Sequence, residues 1–340
     1  MQLTELLSPR TDEKLWGLVK QCGVDDVVAL LNGGEQDQRM FASVGANAHK
    51  VEARGDIRPW SEASLARDIE GFRKGGFAVV GLEDTPPLDL ARLGRAGRDE
   101  QIEEMIAQIR AMGRLGIPLL CYNWMALTSW ARTAVAIPSR GGALVTGYRE
   151  QDATNLPPVD SGGALDPEEL WDSLKYFLDA VVPEAELAHV RLAMHPDDPP
   201  TAVVRGIPRI MSSLDGFRRL LGLRQSPANA ITFCQGNFAL MTDDVPNVIR
   251  EFGSDDSIAF VHFRDVVGVA SDFVETFHDS GQTDMAACVR EYERIGFAGP
   301  MRADHVPTMF GESNRHPGYE TLGRLFALGY IRGLVAGAQG

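Results

Sequence analysis

The sequence predicts a closed (β/α)8 barrel, and three observations carry the prediction. Eight short apolar runs with polar ends alternate with longer stretches whose apolar residues recur at spacings of three and four. The short runs are continuously apolar, as strands buried on both faces of a parallel sheet must be. No glycine-rich dinucleotide fingerprint follows the first run, which counts against an open doubly wound sheet. Eight such units in succession favour closure.

The first strand is read in QLTELL at the start of the chain. The second is VDDVVALL (24–31), running into Leu31-Asn32-Gly33-Gly34, and the third is FAVVGLE (77–83). RDEQIEEMIAQIRAMGRLG (98–116) reads as a helix, with Gly113 and Gly116 where a C-cap glycine belongs. IPLLCYN (117–123) is the fourth strand. The stretch 124–165 behind it, with GGALVTG and NLPPVDSGG, is too long for a plain connection and reads as an insertion over the active-site end. DPEELWDSLKYFLDAVV (166–182) is a helix opened by Asp166 as N-cap and Pro167 at its first position. The last four strands are HVRLAMH (189–195), AITFCQG (230–236), IAFVHFRD (258–265) and GPMRADH (299–305). No repeat, low-complexity tract or domain boundary interrupts the pattern, so residues 1–340 read as one barrel domain.

The 340 residues include 33 basic and 47 acidic side chains, a formal net charge of −14. A phosphate backbone or anionic lipid surface would be repelled, so neither nucleic acid nor membrane is an expected partner. With 44% hydrophobic and 24% charged residues the composition is that of an ordinary globular chain, long enough to bury a large core without disulfides. No apolar run reaches the roughly 18 residues of a membrane span. The opening MQLTELLSPRTDEKLW lacks the basic head and apolar core of a signal peptide, and four scattered cysteines make no disulfide framework. A cytoplasmic protein with reduced thiols is expected.

Chemistry gathers at the C-terminal ends of the last four strands, which in a barrel open into one shared mouth. Strand five ends in Met194-His195-Pro196-Asp197-Asp198, strand six carries Cys234-Gln235-Gly236-Asn237, strand seven His262-Phe263-Arg264-Asp265, and strand eight ends in Asp304-His305. His, Cys, His and Asp can together hold a divalent transition metal. Taken singly, each has a plainer use: a satisfied core histidine, a small buried hydrophobe, a helix-capping aspartate. Their recurrence at equivalent places in successive units is what speaks for a metal.

The same segments carry a family resemblance. CYNWMALTSWART (121–133) resembles the fourth-strand segment of the D-mannonate dehydratases, MHPDDPP (194–200) their HPDDPP, and TFCQGNF (232–238) their cysteine segment. VHFRDV (261–266) resembles their H-hydrophobic-R segment, and Asp304-His305 with HPGY (316–319) their closing motif. The resemblance runs in order from about residue 98 to the C-terminus. The first third departs from it: QLTELLSPR stands where the family has an aromatic W-Y-G stretch, and no H-D pair follows strand two. DHVPTM also replaces a DHG-type run.

The resemblance implies a xylose-isomerase-like TIM barrel, manganese as the metal, and ligands at His195, Cys234, His262 and Asp304. It places the acid/base pair at His305 and Tyr319 and implies loss of water from D-mannonate to give 2-keto-3-deoxy-D-gluconate, in hexuronate catabolism. By analogy the partners are a small sugar acid and further copies of the chain, in a homodimer or larger assembly. By ligand softness alone a thiolate with two imidazoles suits Zn2+, and Fe2+ and Co2+ could also stand in place of Mn2+.

Those residue types suit the reaction. Dehydration takes the proton at C2, beside the carboxylate, and expels the C3 hydroxyl, so it needs a base, an acid and a cation. Which of His305 and Tyr319 is the base stays open. Arg264, on the same strand face as His262, is a candidate clamp for the substrate carboxylate or half of a structural ion pair. Asn123 and Arg132 are further candidates for substrate binding, with a strand-end turn and a solvated loop charge as their plainer roles. Asp197 and Asp198 are expected to form the turn that Pro199-Pro200 stiffens, or to brace a ligand; His316 is expected to shape the Pro317-Gly318 turn, and His278 is equally open to binding or solvent. The rival readings are a divalent-metal isomerase or epimerase on the same barrel, and a non-catalytic barrel.

Overall fold

The computed structural model describes residues 1–9, 12–33, 51–153 and 159–338. Eight parallel strands close into a barrel in the order of the chain: β1 (Gln2–Leu7), β2 (Asp26–Ala29), β3 (Ala78–Leu82), β4 (Leu119–Asn123), β5 (Arg191–His195), β6 (Asn229–Cys234), β7 (Ile258–Phe263) and β8 (Pro300–Ala303), with β8 pairing back onto β1. β1 coincides with its predicted run and β6 begins one residue before its own, at Asn229; the other six lie inside their runs and are shorter, as run ends such as Glu83 and Asp265 leave the ladder. Gln235 and Gly236 go instead into a short buried helix, Gln235–Ala239. Gly34, at the end of the stretch into which strand two runs, lies outside the described residues.

Two apolar layers follow from strands covered on both faces. Leu6, Val28, Leu119, Cys121, Ala193, Ala230, Ala259 and Phe260 fill the barrel interior. The larger cluster lies between strands and helices, where Tyr122, Trp124 and Phe177 pack together.

The helix predicted over 98–116 spans Arg98–Leu115 with Gly116 as its left-handed C-cap at φ +72°. Gly113 is not a cap. It lies inside the helix where a Cβ would stand 2.7 Å from the Ala188 carbonyl oxygen, so it marks a close approach of two helices. The second helix is capped by Asp166 as predicted but runs Pro167–Ala188, six residues past the predicted end. Pro183 removes one backbone bond without ending it, because Val181, Val182 and Ala185 on its inner face are fully buried.

The 124–165 insertion contributes two antiparallel strands, Ala134–Pro138 and Leu144–Arg149. They join a hairpin that follows β7, Val266–Val269 and Asp272–Glu275, in one four-stranded sheet beside the mouth. Residues 154–158 of the insertion lie outside the described residues. Among the described residues no helix is long and apolar enough to cross a membrane.

Candidate active site

The parallel register brings the strand ends level. Cys234 on β6 pairs with His262 on β7, which pairs with Arg302 on β8, while His195 on β5 lies opposite Asn123 on β4. Asp304, two residues beyond Arg302, points the same way by the strand's period of two. His195 Nε2 stands 3.1 Å from His262 Nδ1, His262 Nδ1 3.6 Å from Asp304 Oδ2, and Asp304 Oδ2 3.9 Å from Cys234 Sγ. The four donor atoms all lie within 4.8 Å of one another, and only His195 retains appreciable exposure.

The donor set fits a divalent cation on two counts. Ligands about 2.0–2.3 Å from one centre in a tetrahedron stand about 3.3–3.8 Å apart, close to the spacings here. The charges agree as well. Glu83, Asp198, Glu275 and Asp304 face Arg132, Arg264 and Arg302, which leaves one negative charge, and a Cys234 thiolate makes two. Glu83, Cys121 and His262 form a second cluster that shares His262. It suits a cation less well: Glu83 takes bonds from Arg302 at 2.7 and 2.9 Å, and burial pushes the Cys121 thiol well up.

The cavity over this cluster is lined by Glu83, Asn123, Trp130, His195, His262 and Arg302, together with Asp304, His305 and Tyr319. His305 has φ +41°, a left-handed conformation rare for a residue with a Cβ. Successive side chains of an extended strand point to opposite faces, so this kink is what lets Asp304 and His305 both face the mouth. The Tyr319 hydroxyl donates to Asp304 Oδ1 at 3.3 Å, and Arg302 Nη1 donates to the same oxygen at 3.0 Å, leaving Oδ2 toward Cys234 and His262. Burial, and then Asp304, push the Tyr319 hydroxyl well above its usual pKa. Burial and Arg302 oppose a charge on His262, but Glu83 and Asp304 outweigh them and raise it to about 9. Burial likewise opposes the charge on Glu83, yet Arg302 and His262 hold it down to about 2.

Arg264 and Arg132 are placed otherwise than as substrate clamps. Neither lines the cavity, and both are fully buried. Arg132 grips Asp198 with two bonds of 2.7 and 2.9 Å and reaches Glu275 at 2.5 Å. Arg264 holds Asp198 at 2.9 Å and Glu275 at 3.0 Å, with Nη1 3.4 Å from Cys234 Sγ. Two guanidinium groups and two carboxylates thus close a neutral ring behind the cluster; burial demands such pairing, since an unpaired charge there would be costly. Asn123 does line the cavity, with its side-chain oxygen accepting from Met125 N at 3.1 Å and Arg92 Nη2 at 3.2 Å. Asp197 shapes its turn by accepting from Met211 N at 2.7 Å and pairing with Arg209. His316 offers its carbonyl oxygen to Tyr319 N at 2.8 Å, closing the Pro317-Gly318 turn. His278 is neither solvated nor in the cavity: it is buried, with Nε2 donating to Phe263 O at 2.7 Å.

Sequence reasoning passed over Glu83, Arg302, Trp130 and Glu275. Glu83 follows the end of β3 as Asp304 follows β8, and Arg302 shares the face of Asp304, so the strand-end rule applied to every strand reaches both. Trp130, whose ring centroid is 4.7 Å from that of His305, and Glu275 come from loop and hairpin segments that rule does not cover.

Comparison with known proteins adds a family. The family model described as D-mannonate dehydratase (UxuA) matches residues 12–161 and 157–339, so the match reaches back through the first third, where none of the resembling motifs lies. The mannonate dehydratase of Oceanobacillus iheyensis is 32% identical over 311 residues, 84% of this chain and 87% of that protein. That of Enterococcus faecalis is 33% identical over 314 residues, 82% and 86% of the two chains. Among solved structures, mannonate dehydratase from Streptococcus suis serotype 2 superposes with a TM-score of 0.86 at 27% identity, covering 100% of this chain and 93% of its own. A D-psicose 3-epimerase from Clostridium cellulolyticum H10 superposes at 0.59 with 12% identity over 98% and 99%, a likeness of xylose-isomerase-like barrel fold alone.

Proposed function

Because the chain belongs to the D-mannonate dehydratase family, and so to the hydro-lyases, we propose that it removes water from D-mannonate, or a closely related aldonic acid, to give 2-keto-3-deoxy-D-gluconate or its counterpart. The observation that carries this reading is the convergence of His195, Cys234, His262 and Asp304 within 4.8 Å under a cavity that His305 and Tyr319 also line. These four residues would hold a divalent cation. We assign Mn2+ ahead of Fe2+, Co2+ and Zn2+, since a Zn2+ closed by four protein ligands would leave less room for substrate. When bound, the cation supplies Lewis-acid stabilisation of the negative charge that develops beside the substrate carboxylate.

The chain's own groups handle the protons and the sugar. His305 and Tyr319 divide the removal of the C2 proton and the protonation of the departing C3 hydroxyl, each worth typically about 10²–10⁴-fold. Asn123, its oxygen already engaged, presents its amide hydrogens to a substrate hydroxyl. Arg132 and Arg264 act behind the site, fixing Asp198 and Glu275.

The test is a screen of aldonic acids with added Mn2+, scoring 2-keto acids lighter than the substrate by one water. Apoprotein restored with single metals identifies the cation. If no aldonic acid is turned over with any of the four metals, the reading falls; a product isomeric with the substrate points instead to an isomerase or epimerase.

A further inference from the structure

We propose that Glu275 is a positioning residue that fixes His305 in the tautomer protonated at Nδ1, which makes His305 the base and Tyr319 the acid. The proposal rests on the reading that these two residues handle the protons.

Three atoms meet behind the cavity: His305 Nδ1, Glu275 Oε1 and Arg132 Nη2, with separations of 3.0, 2.5 and 2.9 Å. Counting hydrogens decides their roles. Arg132 Nη2 carries two. One goes to Asp198 Oδ2 at 2.9 Å and the other to Glu275 Oε1. Neither remains for His305 Nδ1, despite its closeness. A carboxylate can only accept, so the 3.0 Å contact between Nδ1 and Oε1 needs the hydrogen on Nδ1. A neutral imidazole protonated there has its lone pair at Nε2, and His305 lines the cavity with Nε2 3.9 Å from Asp304 Oδ1. Tyr319 OH donates to that same Oδ1. One proton acceptor and one proton donor therefore flank a single carboxylate oxygen.

Glu275 is held fast for this task. It is 3% exposed, and Arg264 binds it through Nε and Nη2, both at 3.0 Å. It ends the strand Asp272–Glu275, which pairs with the insertion strand Leu144–Arg149 through Phe273↔Tyr148 and Val274↔Gly147. The insertion thus sets the orientation of the base from outside the barrel.

The proton balance is complete. His305 Nε2 takes the C2 proton, the C2–H electron pair becomes the C2=C3 bond, and the C3–O bond breaks as Tyr319 gives its proton to the departing hydroxyl, forming water. The enol ketonises to the 2-keto-3-deoxy acid, and solvent returns a proton to Tyr319 and removes one from His305.

Neutron diffraction from crystals of the deuterated, metal-loaded wild-type protein tests the tautomer directly. The expected result is a deuteron on His305 Nδ1 and none on Nε2; a deuteron on Nε2, alone or with one on Nδ1, overturns the proposal. In solution, Glu275→Gln with wild-type metal content should lose about 10²-fold or more in kcat on D-mannonate while KM stays within about threefold. A purely structural role would lower metal content together with activity, and either that result or a retained kcat counts against Glu275. Should Glu275→Gln fail to fold, Glu275→Asp, which keeps the charge but withdraws the carboxylate from Nδ1, takes its place under the same criteria. If the wild-type protein dehydrates no aldonic acid, the functional reading fails, and the neutron result still judges the tautomer.

Discussion

Cys234 is where exchange of one atom asks the most of the site. Its thiol is fully buried with Arg264 Nη1 3.4 Å from the sulfur, a cationic neighbour that suits a thiolate better than a neutral hydroxyl. Cys234→Ser keeps the shape and removes both the soft donor and the charge. Metal affinity should drop at least about 10–100-fold, the loss that removing even an outer partner of a ligand brings, and activity should fall with it. Metal content by elemental analysis after dialysis checks this; full occupancy in the variant would remove Cys234 from the ligand set. Arg132 and Arg264 show the limit of residue-level reading. Both have the guanidinium fork that suits a substrate carboxylate, but Asp198 and Glu275, carboxylates of the chain itself, occupy it first.

Elements impose their own constraints. Helices Arg98–Leu115 and Pro167–Ala188 touch at Gly113, where an added Cβ would lie 2.7 Å from the Ala188 carbonyl oxygen and 2.8 Å from its Cβ. In an open helix, alanine for glycine stabilises by about 1 kcal/mol. Here the neighbour is backbone and cannot step aside, so overpacking of about 1–3 kcal/mol outweighs that gain. Gly113→Ala should lower the urea midpoint, and a raised midpoint would mean that the helices separate freely. The connection after the Asp272–Glu275 strand is tied to β7 by His278, where burial outweighs the Phe263 carbonyl bond and lowers the pKa from 6.5 to about 4. Between those values the unfolded chain binds a proton that the folded chain refuses, so this stability is present at neutral pH and fades on acidification. His278→Gln lacks the effect, and the stability of wild type relative to the variant should therefore shrink by about 2 kcal/mol from pH 7 to pH 5. Asp265, raised by burial to about 6, acts in the opposite sense in both proteins and cancels in the difference. Urea titrations of the pair at the two pH values decide; a difference independent of pH would show that His278 titrates as it does in the unfolded chain.

For the whole molecule, closing the barrel gathers charges that the chain keeps far apart, and a bound cation should stabilise the fold that gathers them. At a free metal concentration 100 times Kd the gain is about 2.7 kcal/mol. Thermal unfolding should accordingly shift upward by several degrees on adding metal to chelated protein, and an unchanged midpoint would show that the four donors bind none.

Much of this architecture could be read in advance. The alternation of apolar runs placed all eight barrel strands, and their polar ends placed His195, Cys234, His262 and Asp304 at one mouth, because in a parallel barrel every strand's C-terminal end opens on the same side. That inference needs only local pattern and chain order. The ring that braces the site obeys no such order. Arg132 meets Asp198 across 66 positions and Glu275 across 143, through a sheet assembled from two separate insertions. Buried ion pairing is decided by distance through space and by the hydrogens each group has left to give, and both exist only once the chain is folded.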